Sequence, residues 1–299
     1  MNNKYKSFFR MTLSLGLGSL LSGCKQAALL YPKGMVGRDE RDLIFTALGL
    51  MLIVVIPVII MTVVFAWKYR ASNTKATYAP DWHHSSKIEA VVWGIPIIII
   101  AILATITWKS THDLDPYKPL EVKGAKPLTI EVVALNWKWL FIYPEQNIAT
   151  INFVQFPKDV PVDFKITADA PMNSFMIPQL GGQVYAMAGM QTHLHLIGDS
   201  TGDYDGRAVN YNGHGFSDMT FVARVSSEQG FRQWVDTVRQ SENILSAAEY
   251  NKLVMPSQDN PVKVYSSVQN HLYDNIIMKF MMPGMDNLAA DHSSMMMHM

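Results

Sequence analysis

Few side chains in this sequence could hold a metal, carry a lipid or move a proton, and their spacing narrows the chemistry. His193-Leu194-His195 would put two imidazoles on one face of a strand. That could begin a metal site, yet no third ligand is identifiable and His214 is no evident partner, so an exposed strand face is expected. Met281, Met282, Met285, His292, Met295, Met296, Met297, His298 and Met299 offer soft donors suited to Cu(I). They lie on a polar C-terminal stretch expected to be disordered. Met219 is read as a core methionine. Glu89 stands at the mouth of an apolar run, where an ionisable group is costly and often functional; pairing with Lys87 is the plainer expectation. The only cysteine, Cys24, excludes an intrachain disulfide, a CxxC redox pair and a cysteine-rich zinc or iron–sulfur site.

The elements that must position these groups begin with the membrane. The chain has 299 residues, 49% apolar and only 17% charged, with 25 basic and 25 acidic side chains. The balance gives no basic excess for nucleic acid. Leu43–Trp67 and Ala90–Trp108 carry no Asp, Glu, Lys or Arg. As helices they would be about 37 Å and 28 Å long, against a hydrocarbon core of about 30 Å. Trp67, Tyr69, Trp93 and Trp108 sit near their ends, as interfacial aromatics do. Pro57 and Pro96 are expected to be tolerated bends.

Residues 1–23 read as a secretory signal, with Lys4, Lys6 and Arg10 ahead of the apolar run Met11–Leu21. Leu21-Ser22-Gly23-Cys24 resembles a bacterial lipobox, which implies acylation of Cys24. Basic residues are equally frequent on either side of the first span, so the signal decides orientation. Residues 24–42 would lie outside, 68–89 in the cytoplasm, and everything after Trp108 would be exported.

Within the exported part, Ile130, Val132 and Ala134 alternate, as do Trp137, Trp139, Phe141 and Tyr143, then Val162, Phe164 and Ile166, and Phe221, Ala223 and Val225. Gly181-Gly182 and the Gly198–Gly206 segment read as separators. A β-sandwich or barrel over 110–225 is expected, followed by a helical region, 226–280, and the tail 281–299. Ser227–Arg239 and Ser246–Leu253 have helical patterns, and Ser246-Ala247-Ala248-Glu249 is a capping box.

This order of lipoprotein signal, helical hairpin with a basic loop and exported β-domain carrying Trp137-Lys138-Trp139 resembles subunit II of the haem–copper respiratory oxidases. The most specific segments are Phe65-Ala66-Trp67-Lys68-Tyr69-Arg70, Lys87-Ile88-Glu89-Ala90-Val91-Val92-Trp93 and Met172-Asn173-Ser174-Phe175-Met176-Ile177-Pro178. The likeness is greatest to the quinol oxidase branch, of the cytochrome bo type.

The resemblance implies a two-helix membrane hairpin, a cupredoxin-like β-domain and C-terminal helices. In the cytochrome c oxidase branch that domain holds two coppers through a His before Ser-Phe-x-x-Pro and a later Cys-x-Glu-x-Cys-x3-His-x2-Met. Here Asn173 takes the first position, and Ala208, Asn210, Asn212 and Phe216 take the thiolate, glutamate and second histidine positions; Met219 alone matches. A dicopper centre needs anionic, soft thiolates, which these residues do not supply.

The expected role is a non-redox subunit of a proton-pumping ubiquinol oxidase of the bacterial inner membrane. Haems and one copper would belong to subunit I, which would take electrons directly from ubiquinol. Subunit I would be the principal partner, with subunits III and IV and membrane lipid. Glu89 would stand at the mouth of a proton path into subunit I, and the aromatic segment Trp137–Tyr143 would serve packing and subunit contact. A lipoprotein that sequesters copper through the Met/His tail and delivers it to an oxidase is the alternative.

Overall fold

The computed structural model describes residues 28–281 except Tyr78, Pro80 and Lys123. The signal segment, Cys24 and the tail beyond Met281 lie outside them.

Two long helices come first, α1 (Met35–Lys68) and α2 (Ser86–Asp113). Both are long and apolar enough to cross a membrane, with mean hydropathy of 3.0 and 2.5 in their most apolar windows. Their large side chains are exposed over nearly the whole length, Trp67, Trp93 and Trp108 by about seven-tenths. In a chain of this composition, lipid and neighbouring helices must cover that surface. Pro57 and Pro96 are accommodated inside continuous helices. The first helix starts well before its charge-free stretch. It takes in Arg38–Asp42, and its opening turn is built into the β-domain.

That junction is made by close backbone approach. Gly37 N–H donates to Leu180 O at 2.9 Å, Lys33 N–H to Gln179 O at 2.6 Å, and Asp199 N–H to Lys33 O at 2.9 Å. A Cβ on Gly34 would sit 2.7 Å from Leu180 O, and one on Gly181 would sit 2.6 Å from the Gly37 nitrogen. Glu40 accepts from Gly182 N–H at 3.1 Å, and Arg38 pairs with Asp199.

The β-domain is a sandwich. Its larger sheet has the order β12-β3-β2-β1-β5-β8, comprising β1 (Leu128–Leu135), β2 (Lys138–Tyr143), β3 (Ile148–Ile151), β5 (Val162–Ala168), β8 (Thr192–Leu196) and β12 (Lys263–Tyr265). The smaller sheet runs β4-β10-β9-β6-β7, with β4 (Phe153–Pro157), β6 (Asn173–Ile177), β7 (Gly181–Ala186), β9 (Gly202–Ala208) and β10 (Thr220–Ser226). Pairings are antiparallel except β1 with β5 and β4 with β10. Between the sheets, Ile130, Val132, Trp139, Phe141, Phe164, Phe175 and Phe221 form the core, with Phe175 stacked on Phe221 at 5.1 Å.

The outer face of the larger sheet is covered too. Val133, Leu135, Leu140 and Ile142 meet Tyr250, Tyr265, Leu272, Tyr273 and Ile276 in a second apolar cluster. These come from α4 (Ala247–Val254), β12 and α5 (Leu272–Met281). Every residue of β2 is therefore buried.

Three expectations are corrected. Trp137 is not in the strand: it holds the turn before β2 at φ 62°, a left-handed conformation. Gly202 and Gly206 lie inside β9 rather than in a separator, and a Cβ on Gly206 would come within 2.1 Å of the Phe221 ring. Glycine there makes room for the core. The region after residue 225 is not purely helical, because β12 pairs antiparallel with β3 and β11 (Ile244–Leu245) pairs with β13 (Ser267–Val268). The helices α3 (Glu228–Arg239) and α4 fall where the pattern put them. Ser246 caps α4 by accepting from Glu249 N–H at 3.3 Å.

Candidate functional site

The residues aligned with copper ligands converge at one end of the sandwich. Asn173 opens β6, Ala208 closes β9, Asn212 lies in the loop after β9, and Met219 immediately precedes β10. Asn173 is fully buried and Met219 is 1% exposed. Asn212 Nδ2 donates to Asn173 Oδ1 at 2.5 Å and reaches Met219 Sδ at 3.1 Å. Ala208 N–H donates to Met219 O at 3.0 Å. Asn210 turns away, donating to Met172 O at 3.2 Å, and Phe216 packs edge-on against Tyr211 at 5.6 Å. The Trp137 indole N–H donates to Asn212 O at 3.2 Å. Gly213 and Gly215 sit beneath that ring; a Cβ on Gly215 would lie 2.4 Å from Trp137 Cγ.

The cradle therefore offers two neutral amides and a thioether, held by hydrogen bonds to one another. A pair of copper ions needs soft anionic donors to share their charge. These residues do not fit it.

Glu89 lies in the first turn of α2. Its partner is His84, with Nδ1 2.7 Å from Glu89 Oε1, and not Lys87; both side chains are more than half exposed. His214 is exposed on the loop after β9. His193 and His195 are not on an open face as expected. They are partly buried beside Asp163, which supplies the third group that the sequence did not reveal.

Two buried polar anchors also escape a reading of local pattern. Lys138, between the two tryptophans, is 2% exposed. Its ammonium donates to Leu253 O and Met255 O, each at 2.9 Å, and to Ser257 Oγ at 2.5 Å. It thereby satisfies the carbonyls at the end of α4, while burial lowers its pKa. Asp169 accepts from Tyr250 OH at 2.8 Å and Lys279 Nζ at 2.9 Å, tying α4 and α5 to the sandwich. Glu131, on the covered face of β1, is pushed up to about 7 by burial, with Asp274 adding to the shift and Lys165 opposing it.

A family model described as the COX Aromatic Rich Motif matches residues 239–284. That match covers the C-terminal segment that supplies Tyr250, Tyr265 and Tyr273 to the outer face of the larger sheet. Among curated relatives, the cytochrome bo(3) ubiquinol oxidase subunit 2 of Pseudomonas aeruginosa is 59% identical over 268 residues, 90% of this chain and 80% of that protein. The protein of the same name from Pseudomonas putida is 56% identical over 97% of this chain and 90% of its own length. The ubiquinol oxidase subunit 2 of Acetobacter aceti is 51% identical, covering 93% and 91%. The solved periplasmic domain of subunit II of cytochrome oxidase from Bradyrhizobium japonicum superimposes with a TM-score of 0.37 at 21% identity. That alignment covers 39% of this chain and 96% of that domain.

Proposed function

The chain belongs to the subunit 2 family of ubiquinol oxidases, and from that premise we propose that it anchors and caps the oxidase without carrying electrons. The supporting observation is the Asn173–Asn212–Met219 cradle: the place where a copper relay would be built is filled by two neutral amides and a thioether, with Asn212 Nδ2 bonded to both of the others. Electrons then enter the partner subunit I directly from membrane-dissolved ubiquinol. The haems and one copper belong to that subunit, where oxygen is reduced.

The chain's own contribution is mechanical and protonic. Its exposed apolar hairpin packs against subunit I, with subunits III and IV completing the complex. The β-domain sits on the periplasmic side of the bacterial inner membrane. Close seating of Gly34, Gly37 and Gly181 passes the position of the domain to the start of α1. Acylation of Cys24 adds a second attachment on the same side. Glu89, exposed at the cytoplasmic end of α2 beside His84, gathers protons for subunit I.

Copper analysis and electron paramagnetic resonance on the purified complex test the electron-free role. One copper per complex is expected; two further coppers with a mixed-valence signal would overturn it. For the protonic role, Glu89→Ala complexes should turn over more slowly than wild type under saturating quinol. Equal rates remove Glu89 from proton uptake.

A further inference from the structure

On the outer face of the larger sheet, at its edge, lies a cluster that the oxidase role does not use. Asp163 on β5 and His195 on β8 are direct cross-strand partners, and His193 lies two residues along β8 on the same face. His193 Nδ1 is 2.9 Å from Asp163 Oδ1, and His195 Nε2 is 3.5 Å from the same oxygen. The donor atoms of all three residues lie within 4.8 Å of one another. Their side chains are only 27%, 11% and 18% exposed for His193, His195 and Asp163.

The orientation of His195 carries the inference. Its Nδ1 stands 3.0 Å from Pro116 O, a carbonyl that can only accept, so Nδ1 holds the proton. In the neutral ring Nε2 is then a bare lone pair aimed at a carboxylate oxygen. Two acceptors facing at that distance repel unless a positive charge lies between them. A ring fixed through one nitrogen by a backbone carbonyl, with the other presented beside a carboxylate, is how metal-binding imidazoles are held. Tetrahedral ligation at about 2.0–2.1 Å requires ligand atoms roughly 3.3–3.4 Å apart, and the two measured separations bracket that value.

The surroundings are consistent in charge and shape. Lys165, opposite His193, is itself opposite Glu131 on β1, whose charged form it favours. The Tyr117 ring packs on His193 at 5.9 Å between centroids. Pro116 and Tyr117 belong to the segment that leaves α2 and enters the β-domain. His195 N–H also donates to Pro116 O, at 3.3 Å.

We infer that Asp163, His193 and His195 bind a divalent transition-metal cation of the zinc type, with a solvent molecule completing the shell. The site is structural: through His195 and His193 it touches Pro116 and Tyr117 of the segment that leaves α2. Its effect is to fasten the segment leaving the second membrane helix to the edge strand of the sheet. The only chemistry is a tautomer shift: the His193 ring keeps its one proton, which passes from Nδ1 to Nε2 as the cation takes Nδ1, and the Gln191 amide, 3.0 Å from Nε2, turns its oxygen to accept it.

The test is zinc titration of the complete complex after chelator stripping, comparing wild type with His195→Gln, Asp163→Asn and His214→Gln. Wild type and His214→Gln should share a zinc site that the other two bind at least tenfold more weakly. A chain ending at Met281, which lacks His292 and His298, should keep that site. Equal zinc affinity in all variants would overturn the inference, as would loss of the site on truncation. If a variant fails to assemble, zinc-edge absorption on the loaded truncated chain decides. Two imidazoles and a carboxylate in the shell support the site; fewer than two imidazoles refute it, and a bridging proton is then what separates His195 from Asp163.

Discussion

Asn212 donates through Nδ2 to Asn173 Oδ1 across 2.5 Å in the interior of the sandwich. Two neutral amides thus close the space that a metal centre would need. Asn212→Ala would leave Asn173 Oδ1 buried without its donor, at a cost of about 1–3 kcal/mol. Chemical denaturation should show that loss. On the electron-free role proposed above, ubiquinol turnover of the assembled complex should be unchanged.

Lys138→Met keeps most of the side-chain length and removes the ammonium. Leu253 O, Met255 O and Ser257 Oγ would lose their common donor in a buried place. A loss of about 2–4 kcal/mol is expected, with faster amide exchange in α4 before the rest of the domain.

Glu131 gives stability a pH dependence. Its carboxyl titrates near 7 in the folded chain, against 4.5 as the ordinary value. Between those limits the folded state keeps a proton that the unfolded state has lost, so this group's contribution worsens as pH rises through the window. Glu131→Gln should therefore raise stability above pH 7, by about 1–2 kcal/mol after solvent screening of a half-buried group. The gain should vanish below about pH 4.5. Melting curves of the two proteins across this range check both limits.

Gly181 holds φ at 103° while its missing Cβ makes room for Gly37 N. Gly181→Ala should strain that contact by about 1–3 kcal/mol. Hydrogen exchange at the Lys33 and Gly37 amides should quicken, while the β1–β2 amides remain protected. Equal acceleration everywhere would mean that the junction is not a separate unit.

Much of this molecule is written in local pattern. Charge-free runs of membrane-spanning length specify the hairpin, because a helix satisfies its own backbone in lipid. Alternation at Val162, Phe164 and Ile166 specifies a strand, and Ser246 with Glu249 specifies a helix start. The absence of thiolates at Ala208 and Asn212 is equally plain, since ligand chemistry resides in residue type. The sequence by itself determined these things. Tertiary structure alone decided which distant groups meet. The parallel β1–β5 pairing and the adjoining β8 set Asp163 against His195, and a covering helix makes Lys138, polar by type, an interior group. Close packing against Phe221 turns Gly206 from a chain breaker into a strand residue. Each depends on contacts between residues far apart in the chain, and no periodicity within one segment records them.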